Sequence, residues 1–247
     1  MLLTKVALIT GTRRGLGKAC AYKFAQNGYD VVINDFKEYE AECKQIKFDI
    51  EKKYSVKVLV LCGNVSVEVD VLNMLEKFKT QYSNLNVLVN NAAIVEDMDV
   101  SKRSTELFEK TIRNNITGTY LMCKYFGKLM YSSSDISKIV NIASTNGIDC
   151  NFPTSIDYDA SKAAIINLTK NFAIEYAPKI LVNSVSPGWI NTEMNQDLEK
   201  DLILEESSKI YLKRFAEPEE IASLVYYLSS EENTYINGEN IVIDGGY

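Results

Sequence analysis

Tyr158 and Lys162 stand four residues apart in Tyr158-Asp159-Ala160-Ser161-Lys162. On a helix such side chains are neighbours on one face, with Cβ atoms ~5–6 Å apart. A free phenol titrates near ~10, too high for efficient proton transfer at neutral pH, and an adjacent ammonium favours its ionised form. The pair is therefore a candidate acid/base couple. The spacing alone is a poor signal, because the chain has 15 tyrosines. Ser144 adds a hydroxyl at the end of a strand-like run one helix upstream. The chain contains no histidine. That excludes Ser-His-Asp and Cys-His catalysis and any zinc site built on imidazole, leaving proton chemistry to carboxylates or to Tyr, Lys or Cys groups with shifted pKa values.

A second constellation lies near the N-terminus. Thr10-Gly11-Thr12-Arg13-Arg14-Gly15-Leu16-Gly17-Lys18 follows a strand-like run and opens a helical pattern. Glycines there let the backbone turn sharply and approach a pyrophosphate, and the helix N-terminus offers free N–H groups and a positive dipole end. Three glycines alone are a weak motif; their place between the first strand and first helix makes this a dinucleotide loop. Asp35 ends the second strand at about the spacing of a ribose-binding acid. A carboxylate there accepts from ribose hydroxyls and repels a 2′-phosphate, which favours NAD. Arg13, Arg14 and Lys37 argue for NADP, because they can pair with that phosphate.

These residues need a scaffold. β-Branched runs at Val6–Thr10, Asp30–Asp35, Val56–Cys62, Asn86–Asn90, Lys138–Ser144, Ile180–Ser186 and Asn240–Asp244 read as seven strands. Most are continuously apolar, as expected of strands buried on both faces of a parallel sheet. Helical patterns intervene, including one from about Ile156 to Ala177 that Pro178 stops and one that Pro218 opens and that ends near Ser230. The alternation predicts one doubly wound α/β domain over residues 1–247. The charged, irregular stretch 189–215 reads as a mobile helical flap. The flap, Thr145–Phe152 and Val95–Met98 are expected to wall a substrate pocket, with Phe152, Ile148, Trp189 and Met194 as an apolar lining or as packing for the flap.

Composition narrows the function further. The chain of 247 residues is 46% hydrophobic with a net charge of −6. A mildly acidic chain argues against broad nucleic-acid or anionic-membrane binding, and no apolar run approaches the ~18–20 residues of a membrane span. The N-terminal Met-Leu-Leu-Thr-Lys shows no secretory pattern, so cytoplasm is the expected compartment. Cys20, Cys43, Cys62, Cys123 and Cys150 are odd in number and form no C-x-x-C pair, and are expected to be reduced thiols packed as small hydrophobes. No metal site is expected.

Taken together, the chain resembles the short-chain dehydrogenase/reductase family over nearly its whole length. The resemblance rests on the glycine loop, Asn90-Asn91-Ala92-Ala93, Asn115 in Arg-Asn-Asn-Ile-Thr-Gly, Ser144, Tyr158-x-x-x-Lys162, Pro187-Gly188 followed by Thr192, and the ending Ile243-Asp244-Gly245-Gly246. It implies a Rossmann fold with a seven-stranded parallel sheet and hydride transfer between NAD or NADP and an alcohol/carbonyl pair. Tyr158 would be the general acid/base and Ser144 would bind the substrate oxygen. Lys162 would bind the nicotinamide ribose and lower the phenol pKa. Asn115, rather than its neighbour Asn114, would hold a water linking Lys162 to solvent. The dinucleotide would lie on Gly11, Thr12, Arg13, Arg14, Gly15, Leu16 and Gly17, with Asp35, Asn64, Val65, Asn90, Asn91 and Ala92 around the adenosine. Pro187, Gly188, Ile190 and Thr192 would lie at the nicotinamide. Two positions depart from the family pattern: Ala93 replaces a turn glycine and Asn64 a common aspartate. Within the family the chain is similar to 3-oxoacyl-[acyl-carrier-protein] reductases and to sugar or polyol dehydrogenases. A dinucleotide sensor without activity is the rival from another class; it would be expected to lose part of the catalytic set. The family also implies a homotetramer, and the apolar positions Ala164, Ile165, Leu168, Phe172 and Ala173 on the long helix suit one.

Overall fold

The strands β1 (Val6–Thr10), β2 (Asp30–Asn34), β3 (Val58–Val60), β4 (Val87–Asn90), β5 (Ser137–Ile142), β6 (Ile180–Pro187) and β7 (Asn240–Ile243) form one sheet in the order β3-β2-β1-β4-β5-β6-β7. All six pairings are parallel. The structure is a computed structural model, and it describes residues 4–133, 136–149, 153–193 and 198–247.

The continuous apolar runs have the expected cause. In β1, Ala7 and Ile9 face one side of the sheet while Val6 and Leu8 face the other. The first side is covered by α1 (Gly15–Gln26), α2 (Glu40–Lys53) and α8 (Pro218–Ser229), through residues such as Phe24, Ile46 and Val225. The second is covered by α3 (Glu68–Lys79), α5 (Gly118–Tyr131) and α6 (Ile156–Tyr176), where Phe78 meets Phe126 edge to face. Two shorter helices, α4 (Thr105–Ile112) and α7 (Lys200–Lys209), lie toward the cleft. The chain leaves β1 toward β2 on one side and returns to β4 on the other. A crevice therefore opens at the carboxyl ends of β1 and β4, where open α/β sheets bind ligands.

β2 and β5 end before their expected last residues. Asp35 lies just past β2 because its carboxylate accepts from the backbone N–H groups of Arg13 and Phe36, turning the chain off the ladder. Ser144 lies two residues past β5, where its Oγ accepts from Asn146 N and opens a 3₁₀ turn, Thr145–Gly147. A π-helical turn, Arg113–Thr117, separates α4 from α5 and carries Asn115. Contacts hold several described residues of the stretch 189–215. The side chain of Glu206, buried on α7, accepts from Lys209 Nζ (2.6 Å), Tyr247 Oη (2.6 Å) and Trp189 Nε1 (3.3 Å), while Trp189 stacks on Phe215. Cys150, Phe152 and Met194 lie outside the described residues. Cys20, Cys43, Cys62 and Cys123 are free thiols.

Candidate active site

A cleft of about 560 Å³ runs across the carboxyl ends of the strands. At one end the β1–α1 loop supplies backbone rather than side chains. Gly11 has φ +68°, and a Cβ there would stand 2.9 Å from Ala92 Cα. A Cβ on Gly17 would stand 2.0 Å from Gly11 O, so only glycine lets α1 begin so close to the loop. The Arg14 side chain does not cap α1, leaving its first-turn N–H groups to other acceptors. One is taken by the flap: Gly15 N donates to Glu193 Oε2 at 3.1 Å. A carboxylate thus sits where the helix favours an anion.

Gly11, Arg13, Arg14, Gly15, Leu16 and Gly17 line the cleft, as do Asp35, Val65, Asn91 and Ala92. Arg13 lays its guanidinium 3.9 Å from the centre of the Tyr39 ring, while its backbone N–H donates to the Asp35 carboxylate. Three expected residues do not reach the cleft. Thr12 is buried and gives its hydroxyl to Asn34 O, tying the loop to β2. Asn64 turns its side chain onto Ser66, accepting from both its N–H and its Oγ, so only the flanking Gly63 and Val65 reach the ligand space. Asn90 points into the core, donating to Asn141 Oδ1 (2.8 Å), and Asn141 donates in turn to Thr169. The Asn90 side chain therefore braces β4 against β5.

The catalytic candidates converge at the other end. Ser144, Tyr158 and Lys162 line the cleft together, beside Pro187, Gly188, Ile190 and Thr192. The Ser144 hydroxyl faces the Tyr158 phenol and favours its ionised form, and Lys162 Nζ lies 5.3 Å from the Tyr158 ring centre. Lys162 is 2% exposed and donates to Ile142 O at 2.7 Å, its one protein acceptor among the described residues. Burial lowers the lysine to about 7. Burial raises the Tyr158 phenol to about 12, against the hydrogen bond from Ser144 and with help from Asp159 and Asp97. The bare site therefore opposes both charged forms. A buried ammonium with unspent N–H groups at the cleft wall suits ribose hydroxyls, and with the glycine cradle and Asp35 it fits a nicotinamide dinucleotide.

Asn115 is fully buried and does not line the cleft, though Asn114 does. Its side chain accepts from Ile94 N and donates to Ile94 O and Ser161 Oγ, fixing the cleft wall to the residue before Lys162. Its π-turn leaves no trace in apolar spacing. Ile148 is 47% exposed and lies outside the lining. The sequence reading also missed the two acids that flank Tyr158. Asp159 accepts from Asn146 Nδ2 and Ser155 Oγ, holding the turn after Ser144. Asp157 pairs with Arg103 in a buried ion pair. An acid on each side of a helical tyrosine was the signal available. Among the described residues no group of three or more Cys, Asp or Glu side chains could hold a metal ion, and no helix is long and apolar enough to cross a membrane.

Comparison with known proteins gives the same family. A family profile described as "Enoyl-(Acyl carrier protein) reductase" matches residues 11–247. The chain is 35% identical to a 3-oxoacyl-[acyl-carrier-protein] reductase of Aquifex aeolicus, over 98% of this chain and 96% of that one. It is 33% identical to an NAD-dependent glycerol dehydrogenase of Listeria innocua, over 98% and 93%. A short-chain dehydrogenase/reductase structure from Mycobacterium marinum superposes with TM-score 0.93 at 34% identity, covering 98% of this chain and 95% of that one. The chain belongs to the short-chain dehydrogenase/reductase family and is an NAD(P)-dependent oxidoreductase acting on CH–OH and carbonyl groups.

Proposed function

We propose that the protein is a cytoplasmic NADH-dependent reductase of 3-oxoacyl thioesters, working as a homotetramer. The observation that carries the chemistry is the convergence of Ser144 and Tyr158 on one cleft with Lys162 buried behind them. Two hydroxyls at one point of a cleft suit one substrate oxygen. When bound, the nicotinamide supplies the hydride to the carbonyl carbon. Ser144 Oγ donates to the carbonyl oxygen and orients it. Tyr158 Oη gives that oxygen its proton, so a ketone becomes a secondary alcohol. Lys162, once its unspent N–H groups find ribose hydroxyls, stays charged and pulls Tyr158 down from about 12. Asn115 keeps Ile94 and Ser161 in place, and its carbonyl, which accepts from Thr119 Oγ1, retains a second lone pair for a relay water. Residues 1–247 act as one domain, with the stretch from about 189 to 215 closing over the substrate.

Asp35 supports NADH over NADPH. Its carboxylate lines the cleft between Arg13 and Phe36, and Arg13 is held against Tyr39. The acyl thioester is supported by the relatives named for 3-oxoacyl carriers. A second reading, a polyol dehydrogenase, is favoured by Asp97, Asn146 and Thr154 at the pocket wall and by the glycerol dehydrogenase relative. The tetramer is supported by Ile156 (44% exposed) and Ile174 (80%) on α6 and by Val242 (45%) on the edge strand β7. The deciding experiment is NADH consumption with acetoacetyl thioester, compared with NAD⁺ reduction with glycerol, at equal enzyme. The proposal expects the thioester to be turned over and glycerol not; the reverse result selects the polyol reading. A sedimentation mass of one chain at micromolar concentration would refute the tetramer.

A further inference from the structure

Arg103 lies in the loop before α4, and its side chain is 3% exposed. Its Nη1 meets Asp157 Oδ2 at 2.5 Å. Its Nη2 donates to Thr154 O at 2.6 Å and Glu96 O at 2.7 Å. Asp157, itself fully buried, uses Oδ1 to accept from Tyr158 N at 2.9 Å. Met98 N also donates to Thr154 O. One guanidinium therefore ties together the wall around Asp97, the wall at Thr154, and the first turn of the helix that carries Tyr158. A buried ion pair is weak evidence for stability, because desolvation offsets much of its Coulombic gain. This one lies directly under a reacting group, where its geometry and its neutrality both matter.

The charges around Tyr158 make that neutrality specific. Asp97 faces it from the loop after β4, Asp159 stands beside it on α6, Asp157 meets it through its backbone N–H, and Lys162 stands one turn along. Ser144 is the neutral partner after β5. Asp159 is satisfied by Asn146 and Ser155, both uncharged. Arg103 is the cation that balances Asp157, and it also draws down Asp97 against the burial that raises it.

We propose that Arg103, with Asp157, is a positioning residue for Tyr158: the pair fixes the height of the phenol and the substrate wall, and its cancelled charge sets the pH range in which Tyr158 can donate. This rests on Tyr158 being the proton donor. Arg103→Met leaves the buried Asp157 carboxylate unpaired one residue from Tyr158; the uncompensated negative charge stabilises the neutral phenol, so the alkaline limb of kcat for ketone reduction moves up. Asp157→Asn leaves an unpaired guanidinium and moves the same limb down. Shifts of about one pH unit are expected for one buried charge left unbalanced at a neighbouring residue. The double variant returns the limb to the wild-type position, with kcat lowered about tenfold or more by the loosened geometry.

The test measures pH profiles of kcat with NADH and acetoacetyl thioester for wild type, both single variants and the double variant, with NADH affinity by fluorescence as the folding control. Opposite shifts at near-constant NADH affinity support the proposal. Equal shifts, shifts of the same sign, or none overturn it, because a merely structural role cannot give shifts of opposite sign. If Arg103→Met does not fold, Asp157→Asn alone decides: a downward shift supports the proposal, and no shift or an upward one overturns it. If wild type turns over no thioester, the substrate reading fails while Arg103 stays testable. Absorbance at 295 nm in the presence of NAD⁺, compared with and without Tyr158→Phe, reads the same phenol pKa directly. The same opposite displacements are expected there, and their absence overturns the proposal.

Discussion

Replacing Lys162 by Met should change how stability depends on pH, by an amount that follows from the lysine's burial. In the folded chain Lys162 titrates at about 7, whereas an unfolded lysine titrates near ~10.4. Between those values the unfolded chain binds more protons than the folded one, so stability rises with pH across that window. Below pH 7 both states carry the proton and the penalty is constant; above ~10.4 it has gone. The penalty works out at roughly 4–5 kcal/mol at pH 6 and ~2 kcal/mol at pH 9. Tyr158 does not disturb this range, because its folded pKa is raised, to about 12. The stability it contributes is fully present below ~10 and lost only as pH rises beyond. Met removes the ammonium and also takes the donor from Ile142 O, a cost of ~1 kcal/mol that does not vary with pH. Urea unfolding at pH 6 and pH 9, at one protein concentration, should therefore show wild type gaining about 2–3 kcal/mol more than Lys162→Met as pH rises. Equal gains would mean that the ammonium is solvated in the folded protein, and the account of Lys162 would fail.

Three further outcomes follow from the cradle. Asp35→Ser should weaken NADH by about 10- to 100-fold, the worth of charge-assisted hydrogen bonds, and reverse any preference over NADPH; nicotinamide fluorescence titration checks it. Gly17→Ala should abolish dinucleotide binding and lower Tm, because its Cβ would stand 2.0 Å from Gly11 O; unchanged NADH affinity would contradict the loop geometry. Glu193→Ala should tighten NADH binding about two- to fivefold, since the carboxylate that now accepts from Gly15 N is an anion competing at a helix N-terminus. Weaker binding in that variant would show that Glu193 supports the loop instead.

The parts of the fold written as repeated local pattern were legible in the chain. Continuous runs such as Val31-Val32-Ile33 and Val87-Leu88-Val89 mark strands with two buried faces, and they fall in β2 and β4. Pro178 and Pro218 bound their helices because a proline removes a donor and fixes φ. The glycine loop and the Tyr158–Lys162 spacing were legible because backbone approach and one helix face need those residues at those intervals. What stayed hidden depends on where side chains spend their hydrogen bonds. Asn90, Asn64 and Thr12 carry the right chemistry for a cofactor, yet each is used by a nearer partner: Asn141, Ser66 and Asn34 O. Asn115 sits on a π-turn that no periodicity announces. Arg103 and Asp157 are 54 residues apart in the chain and meet only through the packing of the α4 loop against α6. Within the charged stretch 189–215, the bonds of Glu206 to Trp189, Tyr247 and Lys209 were likewise not legible in the chain.

The most direct test of the central claim is NADH oxidation followed at 340 nm with acetoacetyl thioester, comparing wild type with Tyr158→Phe at equal bound NADH. The account predicts steady turnover by wild type and a loss of at least about a hundredfold in the variant, with NADH affinity within a few-fold. Unchanged turnover by Tyr158→Phe would contradict it, since the proton would then come from elsewhere.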